Sequence, residues 1–347
     1  MKRGSITDGS ESHQLRFDTM PFPIKTGTVL RNRYQVKEII GQGGMGCIYL
    51  AEDLRLEGRL CAVKEVEYDL ALPEEMLQEA RDQFQREATI LARLDHPNLP
   101  KVSDFFSIRD RDYLVMDFVP GKDLRQLMIE ARQNQAFLPE EDVLNWASQL
   151  ADALKYLHNQ ETPIVHRDIK PSNLKLTPNG LVKLVDFGLV KMLAPGEVTI
   201  TILQGQGTAL YTPLEQYGGD SGHTDARSDI YAFGGTLYHL LTNEPPLNVR
   251  DRFLTPGSLP RVRDINPDVS LRTERAIHWA LQLHPEDRPK DIDAFVKALF
   301  IEDAPMTKTF RGERIQPRLI RKPEKILIYL AGSLMVISFL LTLIRNF

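Results

Sequence analysis

A chain of 347 residues is too long for one ordinary domain and suits a two-lobed unit with tails. Its formal net charge of -4 gives no electrostatic case for nucleic acid as the main partner. The two cysteines, Cys47 and Cys61, are too few for a disulfide framework or a structural zinc site and imply a reducing, cytosolic setting for the folded part.

In chain order, Met1 to Gly27 is polar and broken by Pro21 and Pro23, which predicts a flexible extension without a secretory signal. The fold is expected to begin near Tyr34. Gly41-Gln-Gly-Gly-Met-Gly46 then offers glycines at its first, third and sixth positions, so that unhindered backbone N–H groups can fold over phosphates. That pattern is weak alone, and its surroundings narrow it. A dinucleotide-binding turn would run into a helix, whereas Cys47 to Ala51 is strand-like and the apolar run Cys61-Ala62-Val63 follows. A Walker-type loop is excluded because Cys47 follows Gly46. Lys64 ends the apolar run, within reach of α- and β-phosphates.

Apolar Phe84, Ala88, Leu91 and Leu94 predict a helix from about Pro73 to Leu94, with Glu87 one residue off the stripe. Tyr113 to Gly121 reads as a strand entering a hinge, with Met116 buried along it. Val143, Trp146, Ala147, Leu150, Leu154 and Leu157 form the stripe of a buried helix, a matter of packing rather than chemistry. His166-Arg-Asp-Ile-Lys-Pro-Ser-Asn173 supplies a base, a cation and an amide, and Asp186-Phe-Gly188 a carboxylate beside a hinge glycine. That combination suits moving a phosphoryl group held on a divalent metal.

In this order the motifs resemble the protein kinase family, specifically the eukaryotic-like Ser/Thr kinases of bacteria, over roughly Tyr34 to Leu299. The resemblance implies an α+β, two-lobed kinase fold: a small β-rich lobe at 34–116, a hinge at 117–121 and a mostly helical large lobe at 122–300. Residues 1–33 are the extension. ATP and Mg²⁺, or Mn²⁺ in its place, would occupy the cleft.

The family's roles fall on this chain residue by residue. Ile40, Gly41, Gln42, Gly43, Gly44, Gly46, Ile48, Ala62 and Lys64 would surround the nucleotide, and Glu87 would pair with Lys64. Asp117 and Val119 would offer backbone groups to adenine, Met116 would limit the depth of its pocket, and Asp123 would reach the ribose. Asp168 is the expected base, Lys170 neutralises the transferring phosphoryl group, and Asn173 and Asp186 hold metal. Asp186 to Glu215 would be the activation loop, containing Gly207-Thr208 and two candidate autophosphorylation sites, Thr199 and Thr201, for which Arg167 is the phosphate partner. Glu215 and Arg288 would form a buried ion pair, and Asp229 would fix the catalytic-loop backbone.

One position departs from the family. Lys175 stands where an apolar residue usually floors the adenine pocket, and its stem is expected to pack while its ammonium reaches water. The β-strand lysine, the catalytic aspartate and the metal aspartate are all retained, which favours an active enzyme over an ATP-binding scaffold of the pseudokinase type.

Beyond the kinase region, Ile326 to Ile344 is nineteen residues without a charge, twelve of them Leu, Ile, Val or Phe. Such a run gains on the order of 5 kcal/mol on insertion before its polar side chains subtract from that. At about 1.5 Å per residue it just spans the hydrocarbon core. A basic linker at 301–325 precedes this transmembrane helix, and from Lys308 onward it sets Lys308, Arg311, Arg314, Arg318, Arg321, Lys322 and Lys325 against Glu313 and Glu324. The positive-inside rule then keeps the kinase cytoplasmic and sends the C-terminus across the membrane. With only Arg345 to Phe347 beyond the helix, no sensor domain is expected there. The expectation is a single-pass cell-membrane Ser/Thr kinase, whose partners are Ser/Thr-bearing proteins and the lipid bilayer, with homodimerisation left open.

Overall fold

The computed structural model describes residues 23–43, 46–66, 68, 73–186, 191–192, 209–217 and 224–301. The small lobe is a six-stranded antiparallel sheet in the order β1-β2-β3-β4-β6-β5. Its strands are β1 (Val29–Leu30), β2 (Tyr34–Gly43), β3 (Gly46–Asp53), β4 (Leu60–Val66), β5 (Val102–Ile108) and β6 (Arg111–Asp117). The period-2 alternation of a strand gives this sheet two covered faces. On β4, Cys61 and Val63 enter a small outer core with Tyr34, Tyr49, Phe106 and Tyr113, whereas Ala62 and Val66 enter the main core toward the cleft.

Glu65 lies on the outer side and is fully buried. Tyr49 donates to it at 2.7 Å, Arg111 at 2.6 Å and Tyr113 at 3.2 Å. A buried carboxylate is tolerable only when so provided with donors. Ile24 completes the arrangement, its amide donating to the Tyr49 hydroxyl at 3.1 Å. Residues 23–33, expected to belong to a flexible extension, are thus built into the small lobe: Ile24 and Leu30 are buried, and β1 pairs with β2.

Helix α1 (Glu74–Leu91) runs along the sheet and buries Leu77, Phe84, Glu87, Ala88 and Leu91. The helix ends three residues earlier than the apolar stripe suggested, yet Leu94 is still buried.

The large lobe is helical: α2 (Leu124–Gln133), α3 (Glu140–His158), α4 (Ala226–Thr242), α5 (Val249–Leu254), α6 (Val262–Ile265), α7 (Leu271–Ala280) and α8 (Ile292–Phe300). Pro139 precedes α3, Glu140, Glu141 and Asp142 fill its first turn, and Lys155 and His158 sit in its last, as the helix dipole favours. Its predicted stripe is buried throughout, each large apolar side chain contributing about 1.5–3 kcal/mol. Helix α4 is buried on nearly every side. A Cβ on Gly234 would lie 2.7 Å from that of Ala280, so glycine is what lets α4 approach α7.

Short pairs join the lobes and the catalytic loop: β7 (Lys122–Asp123), β9 (Leu174–Leu176) and β10 (Val182–Leu184) form one sheet, and β8 (Ile164–Val165) pairs with β11 (Lys191–Met192). Gly121 has φ 109°, and a Cβ there would stand 2.1 Å from the Leu176 carbonyl oxygen. Both facts require glycine at the exit of the hinge.

Among the described residues no helix is long and apolar enough to cross a membrane. Residues 326–344, Gly44, Thr199, Thr201, Gly207 and Thr208 lie outside the described residues.

Candidate active site

The loop between β8 and β9 carries the residues expected to act on the phosphoryl group. Its backbone is held from α4. Asp229 accepts from the His166 amide at 2.8 Å and the Arg167 amide at 2.7 Å, and lies 2.9 Å from His158 Nε2. Burial opposes ionisation of Asp229, but the His158 contact, the electrostatic pull of His166 and the Arg167 amide hold its carboxyl below the usual range. The role expected for Asp229 is therefore met in detail. Thr236, two turns further along α4, donates to the Ile169 carbonyl at 3.3 Å.

Asp168, Lys170 and Asn173 are brought into direct contact. Lys170 donates to Asp168 Oδ2 at 2.9 Å, and Asn173 Nδ2 donates to the same oxygen at 2.9 Å and to the Asp168 carbonyl at 2.8 Å. Asp168 Oδ1 is buried and has no hydrogen-bond partner among the described residues. One oxygen thus fixes the carboxylate and the other is left as an acceptor.

Across the cleft, Lys64 on β4 bonds Asp186. Burial raises the cost of charging Asp186, yet the Lys64 charge and hydrogen bond, with Lys170 and His166, hold its carboxyl below the ordinary range. Asp186 sits at φ 61°, a left-handed conformation uncommon outside glycine, and the preceding Val185 amide is tied to the Asn173 carbonyl at 2.8 Å. Glu87 accepts from Gln83, one turn back on α1, at 2.9 Å. Glu87 does act on Arg167, whose guanidinium burial pushes down to about 10 against the pull of Asp229 and Glu87.

The donor set fits a divalent cation bound together with phosphates. Asn173 spends its amide N–H on Asp168, which turns Asn173 Oδ1 into its remaining acceptor, and Asp186 adds a carboxylate. Among the described residues no group of three or more His, Cys, Asp or Glu could hold a metal unaided. A hard cation that takes the rest of its oxygens from phosphate and water needs no more than this.

The glycine loop is the tip of the β2–β3 hairpin. Gly41 pairs with Ile48, Gln42 with Cys47 and Gly43 with Gly46, and Ile48 pairs in turn with Lys64. Ile40 is exposed and the Ile48 side chain packs toward the main core. Ala62 pairs with Met116, both buried, at the back of the cleft. Asp117 closes β6 with its amide on the Lys101 carbonyl at 2.9 Å, and Val119 is buried beyond it. Asp123 caps α2 by accepting from the Gln126 amide at 2.9 Å.

Lys175 lies opposite Asp123 in the β7–β9 pair. Its ammonium donates to the Gly121 carbonyl at 3.2 Å rather than extending straight into water. The expected ion pair between Arg288 and Glu215 is present at 2.7 and 3.0 Å, with Ser228 adding a bond to Glu215 at 2.8 Å. Sequence reasoning missed Glu65, the Lys64–Asp186 contact and a bond between Tyr211 and His239. Only an unexplained buried-type charge beside the lysine, in a strand otherwise apolar, could have pointed to the first.

Residues 34–301 match the protein kinase domain family. The chain belongs to that family, within its bacterial serine/threonine branch. It is 33% identical over 295 residues to the serine/threonine-protein kinase PrkC of Bacillus subtilis, covering 82% of this chain and 43% of that protein. With PknB of Mycobacterium leprae it shares 36% identity over 222 residues, covering 62% of this chain and 33% of that one. The chain therefore spans less than half the length of these curated relatives. Among solved structures, the PknI kinase domain of Mycobacterium tuberculosis superposes with a TM-score of 0.61 at 28% identity, covering 80% of this chain and 98% of that one. The apo form of PpkA-294 gives a TM-score of 0.63 at 26% identity, covering 80% and 99% respectively.

Proposed function

We propose that this chain is a serine/threonine protein kinase, held at the cell membrane with its catalytic region in the cytoplasm, that transfers the γ-phosphate of ATP to hydroxyls of protein substrates. The observation that carries the reading is the Asp168 carboxylate, fixed through Oδ2 by Lys170 and Asn173 while Oδ1 has no partner among the described residues. A carboxylate so placed accepts the proton of an incoming hydroxyl as its oxygen bonds to the γ-phosphorus and the bond from that phosphorus to the β–γ bridging oxygen breaks. ADP leaves with the electron pair. Lys170 offsets charge on the transferring group. Lys64, steadied by Asp186, orients the α- and β-phosphates. Asn173 and Asp186 would hold Mg²⁺, which when bound neutralises negative charge on the phosphate oxygens.

The uncharged stretch 326–344 behind its basic linker supports the anchor, and the linker's cations add attraction for anionic lipid at about 1 kcal/mol per residue near the surface. Within the same reading, a phosphate on Thr199 or Thr201 would pair with Arg167, whose Nε and Nη2 are buried without a hydrogen-bond partner among the described residues. Single-turnover transfer from γ-labelled ATP to a threonine-bearing protein tests the reading. ATP binding without any transfer, to substrate or to the chain itself, would replace it with a scaffold that signals by conformation.

A further inference from the structure

Helix α4 leads from the catalytic loop toward a group of exposed arginines. Thr236 holds the Ile169 carbonyl, adjacent to Asp168. One turn further, His239 Nδ1 shares a hydrogen bond with the Tyr211 hydroxyl at 2.5 Å. Tyr211 belongs to residues 209–217, folded on themselves by the Tyr217 hydroxyl, which donates to the Ala209 carbonyl at 3.1 Å. The Arg250 guanidinium, at the start of α5, stacks 4.4 Å from the Tyr217 ring centroid.

From the other side α2 contributes Arg125 and Arg132, two helical turns apart and therefore on one face. All three arginines are exposed. None forms an ion pair with a described residue, and three acids of the same elements or their neighbours are paired with other cations: Glu130 with Lys122 at 2.7 Å, Asp225 with Arg227 at 2.7 Å and Glu215 with Arg288.

The charge reaches the two rings between the arginines. Burial pushes His239 down to about 4, and Arg125 and Arg132 push the same way. Burial raises the Tyr211 hydroxyl, with Arg125 alone opposing. Among the described residues no carboxylate acts on either ring. Histidine is neutral here, so the positive field is that of the arginines.

We propose that this surface selects protein substrates whose phosphoacceptor is flanked by acidic side chains, with Arg125, Arg132 and Arg250 receiving the carboxylates. The inference rests on the kinase reading above and names the substrate class of that same site. A guanidinium fork matches a carboxylate in two bonds, and Arg250 is already restrained by its stack on Tyr217, so little side-chain freedom is lost when it binds. A field of one sign also raises the encounter rate with acidic segments and disfavours basic ones.

The test uses the full-length chain in detergent and one threonine peptide synthesised with glutamate, glutamine or lysine at its flanking positions. The expected kcat/KM ratio of the glutamate to the lysine peptide is about tenfold or more, carried mainly by KM and shrinking as salt is raised. The Arg125→Glu/Arg132→Glu variant should bring the ratio to one or invert it. A ratio near one in the wild type, or one that charge reversal and salt leave untouched, overturns the inference while turnover on the peptides keeps the kinase reading. Absence of transfer to every peptide and to the chain itself defeats both.

Discussion

The Arg167 amide donates to Asp229 Oδ1 at 2.7 Å while the Arg167 backbone stands at φ 67°, in the left-handed region. A non-glycine residue so placed costs about 1–3 kcal/mol and persists only where its surroundings over-determine it. Asp229 is that surrounding: it takes the amides of two successive residues, and the next residue is Asp168. The geometry of the proposed base is set from a helix more than sixty residues downstream.

Asp229→Ala should therefore fail in two ways. It strands two buried amides and a histidine, an expected loss of about 3 kcal/mol or more. It also frees the loop, so that kcat falls by about tenfold or more even at temperatures where the variant is folded. Thermal melts and peptide assays on the same preparation separate the two effects; wild-type kcat in a folded variant would show that the loop holds its shape without Asp229.

Asp168→Asn and Lys64→Ala should each lower transfer by about a hundredfold or more with near-native melting temperatures, because positioning and electrostatics carry the reaction. Asp186→Asn is expected to act differently, raising the Mg·ATP concentration needed for half-maximal rate, since it removes charge from both the cation site and Lys64. An Asp168→Asn protein that kept most of its turnover would remove this residue from the role of base.

Arg288 is a structural counterpart. Its side chain is fully buried, it grips Glu215 with two bonds and it also donates to the Gln282 and Leu283 carbonyls at 2.8 and 2.9 Å. Arg288→Ala leaves a largely buried carboxylate uncompensated, and the expected loss of stability is about 3–5 kcal/mol. Arg288→Lys should recover little of it, since an ammonium cannot reproduce the planar fork. Chemical denaturation of the two variants measures both statements.

Acidification should destabilise the fold. Burial lowers the proton affinity of His239 from about 6.5 to about 4, so between those values the unfolded chain binds more protons than the folded one, and stability falls as pH falls. Burial likewise lowers His166 and His278. Asp229 and Asp186, held below their ordinary range, add a loss at still lower pH. Melting temperatures between about pH 7 and about pH 5 should decline, and His239→Gln, which takes up no proton, should decline less steeply.

Deleting residues 326–347 should release the protein from membranes into the soluble fraction with its activity on peptides retained. Because the basic linker can still hold anionic lipid, fractionation after a high-salt wash is the decisive measurement. Truncated protein that stays with the membrane after that wash would move the anchor to another part of the chain.

What sequence made legible was whatever sits within a few residues of itself. The order of glycine loop, lysine, catalytic loop and metal aspartate led to a two-lobed kinase, and the apolar stripe of α3 is buried as drawn. Glu215, Arg288 and Asp229 were legible because each stands inside a local pattern. Less legible was anything decided by a partner from another element. Glu65 is buried because Tyr49, Arg111 and Tyr113 come from neighbouring strands. Ile24 and Leu30 hide in a polar stretch, and only the closed sheet shows what they cover. The Lys175 ammonium turned toward the Gly121 carbonyl because the backbone crosses it there, a placement no spacing encodes.

Lys64 and Glu65 stand back to back on β4, one charge meeting Asp186 in the cleft and the other sealed among tyrosines on the outer side. Sliding this strand by a single residue would exchange them, driving a carboxylate at the phosphates and an ammonium into a slot built of donors. The sheet therefore works as a ruler with one legal setting. Insertions in the turn between β3 and β4 should be harmless only when the turn absorbs them, and an N-terminal truncation past Ile24 would loosen the stop that keeps the ruler in place.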